Sequence, residues 1–111
     1  MERYLVGIDI GTSGCKTCLF DTEGTILGEC YIEYPCYYPH PGWVEQKSED
    51  VIPACFESIR TAVEQSGVDR DLIAAMAVSA QGATISMMDE NGDLVRDFVV
   101  WQDIRGAGIY P

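Results

Sequence analysis

Gly7-Ile8-Asp9-Ile10-Gly11-Thr12-Ser13-Gly14-Cys15-Lys16, running on through Thr17-Cys18-Leu19-Phe20-Asp21, is the stretch on which the reading of this chain turns. An apolar strand (Tyr4, Leu5, Val6, Ile8, Ile10) carries one carboxylate, Asp9, and breaks at Gly11. Two hydroxyls, a second glycine and a lysine follow, and a second apolar run leads away. That is a hairpin whose tip can hold an anion. Gly11 and Gly14 let the backbone come close, Thr12 and Ser13 can donate to phosphate oxygens, and Lys16 adds positive charge. A carboxylate beside a bound phosphate repels it unless a cation lies between them. Asp9 therefore points to Mg²⁺, an ion usually held by few carboxylates together with waters and substrate phosphates.

Strand followed by strand, with no G-x-x-x-x-G-K-[ST] spacing, excludes a P-loop and a Rossmann fingerprint. A plain Gly-rich β-hairpin is the bland alternative. The 111 residues make one domain's worth at most, and 47% hydrophobic content can form a core. A net charge of −11 argues against nucleic acid and against an anionic membrane surface, both of which need a basic face. No run approaches the ~20 apolar residues of a membrane span, and no signal peptide is visible, so the cytoplasm is expected. Five cysteines form an odd set, and Cys15-x-x-Cys18 lies on a strand, where residues three apart face opposite ways. Reduced thiols fit better than a zinc or redox site.

Working outward, strands are expected at 3–10, 15–21 and 25–34, the third with Ile26, Gly28, Cys30 and Ile32 on one face. Three prolines between Tyr34 and Trp43 forbid regular structure there, and the aromatics among them predict a packed loop that includes His40. A helix follows from 48–51 to Gln65, capped by Ser48 or Asp50 and stopped by Gly67. Its expected buried face is Ile52, Cys55, Phe56, Ile59, Ala62 and Val63, and Pro53 blurs its start. Leu72 to Ser79 is almost wholly apolar, as in a parallel strand covered on both faces. Thr84–Met88 and Val95–Trp101 then read as a hairpin about Asn91-Gly92, with Met87 and Met88 in the core. The order is β-β-β-α-β with an added β-hairpin. It is an α/β arrangement like an incomplete ribonuclease-H-like half-domain.

Four patterns in this order resemble the N-terminal lobe of the FGGY carbohydrate kinases, xylulokinases among them, within the actin-like ATPase and sugar-kinase superfamily. They are the Gly7–Lys16 motif with Asp21, Pro41-Gly-Trp-Val-Glu-Gln46, Val78-Ser-Ala-Gln-Gly-Ala-Thr84, and Asp89-Glu-Asn-Gly92 leading to Val100-Trp-Gln-Asp-Ile-Arg105. The first is shared with actin, Hsp70 and hexokinases; the other three separate the FGGY group.

The resemblance implies ATP and Mg²⁺, with Asp9 holding the metal through water. Gly11, Thr12, Ser13, Gly14 and Lys16 would bind phosphate. Gln81, Gly82, Ala83, Trp101, Asp103 and Arg105 would line a sugar or polyol, a xylulose-like ketose being the reading adopted. The catalytic base is expected downstream of these residues, Asp103 being the weaker nominee, and so are the adenosine loops of a C-terminal lobe. Residues 1–111 would then be a partial N-terminal lobe whose partner is the remainder of its own chain. Alone it is expected to be inactive and to expose apolar docking surface, and a homodimer is open for the complete protein. There are two departures. Gly82-Ala83 replaces the methionine-histidine of xylulokinases and the arginine-glutamate of glycerol kinases, and Lys47–Asp50 lacks the usual aspartate-proline. A non-catalytic phosphate- or partner-binding module, or another actin-like ATPase such as a dehydratase activator, is the alternative.

Overall fold

Alternation of apolar and polar residues builds a four-stranded sheet in the computed structural model, which describes residues 2–109. Strands β1 (Tyr4–Ile10), β2 (Gly14–Asp21) and β3 (Ile26–Glu33) form an antiparallel meander. Along β1, Val6 and Ile8 are buried while Leu5 and Asp9 face the other way. Cys15, Thr17 and Leu19 of β2 join them on the inner face, and so do Gly28, Cys30 and Ile32 of β3. Ile26, expected on that face, is exposed at the strand's start, where a register shift opposite Phe20 breaks the alternation.

Helix α1 (Ser48–Ser66) crosses over this inner face and returns the chain to β5 (Ile73–Ala80), which pairs parallel to β1. The sheet order is β3-β2-β1-β5. The strand expected at Val95–Trp101 is shortened to β6 (Phe98–Val99), and it pairs with a strand that was not foreseen, β4 (Glu45–Gln46).

The helix differs from expectation at its start and in its face. Lys47 flanks its start without a side-chain cap, and the Ser48 hydroxyl donates to Glu49 instead. The helix runs straight through Pro53, losing the bond to the Glu49 carbonyl. Gly67 ends it as expected, at φ 69°. The buried face is Val51, Ala54, Cys55, Ser58 and Ala62, whereas Ile52 and Phe56 are 46% and 69% exposed.

Close approach explains the rotation. A Cβ on Gly28 would lie 2.2 Å from the Ala62 carbonyl oxygen, so backbone meets backbone there. Ser58 donates to the Cys55 carbonyl and lies 2.8 Å from the Thr17 hydroxyl. Small residues fit this gap and large ones do not. Gly28→Ala is accordingly expected to lower stability by about 1–3 kcal/mol or more through forced separation of helix and sheet. Urea unfolding checks this, and an unchanged midpoint would contradict it.

Because α1 sits over β2 and β3, it leaves β5 uncovered. From Ala74 onward β5 is exposed on both faces, and β5 is an edge strand rather than the covered central strand expected from its composition. The distal hairpin also departs from the regular ladder expected. The turn forms: Asp89 Oδ1 accepts from the N–H groups of Asn91 and Asp93, and Gly92 adopts φ 83°. Bridges join Met88 to Leu94 and Ile85 to Val99, so a three-residue step on one arm faces a five-residue step on the other. The longer arm buckles at 95–97, where Arg96 leaves to pair with Glu45. Met87 and Met88 are exposed, not core.

Candidate functional site

Gly11 N–H donates to the Gly14 carbonyl (2.9 Å), closing the tip between β1 and β2. Gly14 admits no side chain: a Cβ would fall 2.6 Å from the Ile32 carbonyl oxygen and 2.7 Å from the Tyr31 ring. From outside, the Tyr34 hydroxyl donates to the Gly11 carbonyl at 2.6 Å and the Tyr34 N–H to the Ser13 carbonyl at 3.2 Å. Tyr34 is buried, which pushes its phenol pKa well up and keeps it a neutral donor. The packed-loop reading of residues 34–43 holds only at Tyr34, which is buried; Pro35 and residues 38–42 are exposed, and His40 lies edge-on against half-buried Trp43, ring centroids 4.4 Å apart.

Asp9 and Lys16 stand opposite each other across β1 and β2. Both are exposed on the face away from α1, beside a shallow depression of about 370 Å³ that Gly7, Cys18, Phe20, Ala77 and Ser79 also line. Among the described residues Asp9 makes no side-chain hydrogen bond or ion pair. Lys16 reaches only Glu29, at 3.8 Å with both side chains half-exposed, a contact worth little. Among the described residues no three His, Cys, Asp or Glu side chains cluster as a metal cage. One free carboxylate beside open space is what a largely hydrated Mg²⁺ needs. The residues fit that ion.

Residues far apart in sequence converge at the tip. The Thr12 hydroxyl donates to Gln81 Oε1 (2.9 Å) and accepts from Trp101 Nε1 (2.9 Å). Gln81 follows β5 directly, its N–H donating to the Ile10 carbonyl at 2.8 Å. Trp101, 53% exposed, presents its ring beside this network. Gly82 and Ala83 form an exposed turn next to it, with Ala83 in the left-handed region at φ 60°.

Asp103 and Arg105 lie apart from this cluster. Asp103 accepts from the Val44 N–H and from the Arg105 N–H and guanidinium, while Arg105 also donates to Glu45 Oε2 at 2.8 Å. The guanidinium stacks over Trp43 at 3.8 Å. Hydrogen bonds from Arg105 hold the Asp103 carboxyl well below the usual carboxylate range. A carboxylate so engaged is a poor proton acceptor, so Asp103 acts as a clamp in this arrangement. Sequence reasoning did not foresee the buried places of Gln46, Glu45 or Tyr34: Glu45 reads as solvated acidic surface with Glu49 and Asp50, yet it is buried and pairs with Arg96 and Arg105. The signal for the first two was the Pro41–Gln46 segment itself, whose glutamine is fully buried.

The geometry joins a glycine-bounded turn, a free carboxylate and an exposed indole. Residues 4–111 match the FGGY family of carbohydrate kinases, N-terminal domain. This chain belongs to that family. A glycerol kinase of Thermococcus gammatolerans is 39% identical over 107 residues, covering 96% of this chain. A glycerol kinase of Bacillus subtilis is 32% identical over 110 residues. Among solved structures, that of a "xyloylose kinase" from Brucella ovis superposes with a TM-score of 0.88 at 29% identity, covering 94% of this chain and 22% of that one. The FGGY domain spans 22% of the length of either glycerol kinase. Its fold is therefore an incomplete actin-like ATPase half-domain, as the element order had implied. Among the described residues no helix is long and apolar enough to cross a membrane.

Proposed function

We propose that this FGGY domain supplies the phosphate cradle and one wall of the acceptor site in an ATP-dependent carbohydrate kinase. The observation that carries the reading is the hydrogen-bonded union of the tip with Gln81 and Trp101 through the Thr12 hydroxyl. It sets a phosphate turn directly against a polar, aromatic wall suited to a polyol. Lys16 and the Ser13 hydroxyl hold the γ-phosphate in this reading. The Gly11 N–H and the Thr12 hydroxyl donate to Gly14 and Gln81, and reach phosphate only on leaving those partners. Asp9 would order Mg²⁺ through water. Mg²⁺ held there would supply charge neutralisation for the transferring group. An acceptor hydroxyl oxygen bonds to the γ-phosphorus as the bond to ADP breaks, and its proton passes to a base contributed by the rest of the protein. Positioning and charge balance carry the rate, since phosphoryl transfer needs little covalent help.

Residues 1–111 act here as the partial N-terminal lobe of a longer cytoplasmic enzyme. Its C-terminal lobe covers the nucleotide and its further elements cover β5, Ile52 and Phe56. Alone the domain is inactive, because one lobe cannot close over ATP. A xylulose-like ketose is the acceptor proposed, on the motif resemblance and on the likeness to the solved "xyloylose kinase", although Gly82-Ala83 departs from the xylulokinase and glycerol kinase pairs alike. The glycerol kinases among the relatives favour glycerol as the second reading. Assay of the full-length protein with ATP against pentuloses, hexuloses and polyols tests this. The expected result is a kcat/KM for a ketose at least about tenfold above that for glycerol. The reverse order overturns the acceptor, and no phosphorylated product from any acceptor overturns the kinase.

A further inference from the structure

Gln46 has no surface with which to touch a ligand: it is 0% exposed. Yet its amide connects both halves of the site. Its Nε2 donates to the Thr12 carbonyl at 2.6 Å, and its Oε1 accepts from Gln81 Nε2 at 2.8 Å. With the bond from the Thr12 hydroxyl to Gln81 Oε1, these close a ring of three hydrogen bonds through Thr12, Gln81 and Gln46. Trp101 hangs on that ring through Thr12.

The polarity of the ring is fixed. Turning the Gln46 amide over would set its oxygen against the Thr12 carbonyl and its nitrogen against Gln81 Nε2, two like pairs in a buried place. Backbone pairing anchors the residue as well, since Gln46 stands opposite Phe98 in the β4–β6 ladder. From this we infer that Gln46 is a positioning residue that locks the phosphate tip to the acceptor wall, so that the two half-sites hold their relative geometry together. The inference rests on the kinase reading above.

The test is steady-state kinetics of the full-length protein, varying MgATP and acceptor separately, with Gln46→Glu, Gln46→Asn and Gln46→His. Glutamate is isosteric but sets an acceptor against the Thr12 carbonyl. Asparagine keeps the polarity but is one methylene short of both partners. Neutral histidine offers one donor and one acceptor, the set that the ring requires. Glu and Asn are each expected to raise both KM values together by about tenfold, while His stays within about threefold of the wild type. If Gln46→Glu fails to fold, Gln46→Asn carries the test. Unchanged KM values in folded Gln46→Asn overturn the inference while leaving the kinase reading intact, and so does a change confined to one substrate. Equal damage from Asn and His marks a role in packing alone and also overturns it. A wild type without turnover removes the kinase reading and this inference with it.

Discussion

Replacing Arg105 by alanine is expected to lower the stability of the domain by about 1.5–3 kcal/mol, the range for hydrogen bonds to charged groups in a partly buried cluster. The side chain is 18% exposed, and its carboxylate partners Asp103 and Glu45 are 3% and 11% exposed. Without the guanidinium, two carboxylates are left close together with little water and no cation except half-exposed Arg96. The ring of Trp43 also loses its stacking partner. Arg105→Lys should recover only part of the loss, because an ammonium cannot reproduce the planar fork that grips Asp103 and Glu45 together. Urea denaturation of the full-length protein and both variants measures this. A loss below about 1 kcal/mol in Arg105→Ala would show that the cluster behaves as a surface network.

Asp9→Asn carries the second large effect. The substitution keeps size while removing the charge proposed to face the metal, so the fold should be untouched: Asp9 is exposed and bonds to nothing among the described residues. Turnover of the full-length enzyme is expected to fall by about 10²–10³-fold or more, the scale at which one electrostatic contact to a transferring group operates. The KM of the acceptor should barely move, since the proposed acceptor wall is Gln81 and Trp101. Initial-rate kinetics with a thermal-melting control separate the two quantities. A kcat near that of the wild type would remove Asp9 from the metal's surroundings.

The strands were legible because alternation along β1 and β2 reports a half-buried surface directly, residue by residue. The face of α1 was not. Ile52 and Phe56 weigh heavily in any apolar pattern, yet a gap as narrow as that between Gly28 and Ala62 selects Ala54, Ser58 and Ala62, which weigh little. Composition also misread β5, because an apolar run signals surface that wants covering and does not say which segment covers it.

At the site, Thr12, Gln81 and Trp101 were each named from local patterns, and their meeting at one hydroxyl was beyond those patterns. Gln46 escaped notice for a related reason. A buried amide gains meaning only when both of its partners are known, and these lie 34 and 35 residues away in sequence. Asp103 and Arg105 were read as pocket residues from their motif. Their side chains bond Val44 and Glu45 and stack on Trp43, contacts that the motif did not announce.

Calorimetric titration of ATP into the full-length protein, with and without Mg²⁺, tests the phosphate cradle and its metal most directly. The wild type should bind ATP at least about tenfold more tightly with the metal, and Asp9→Asn should lose most of that gain, its metal-free affinity rising as the repulsion between carboxylate and phosphate is removed. An equal gain from Mg²⁺ in both proteins would contradict the account.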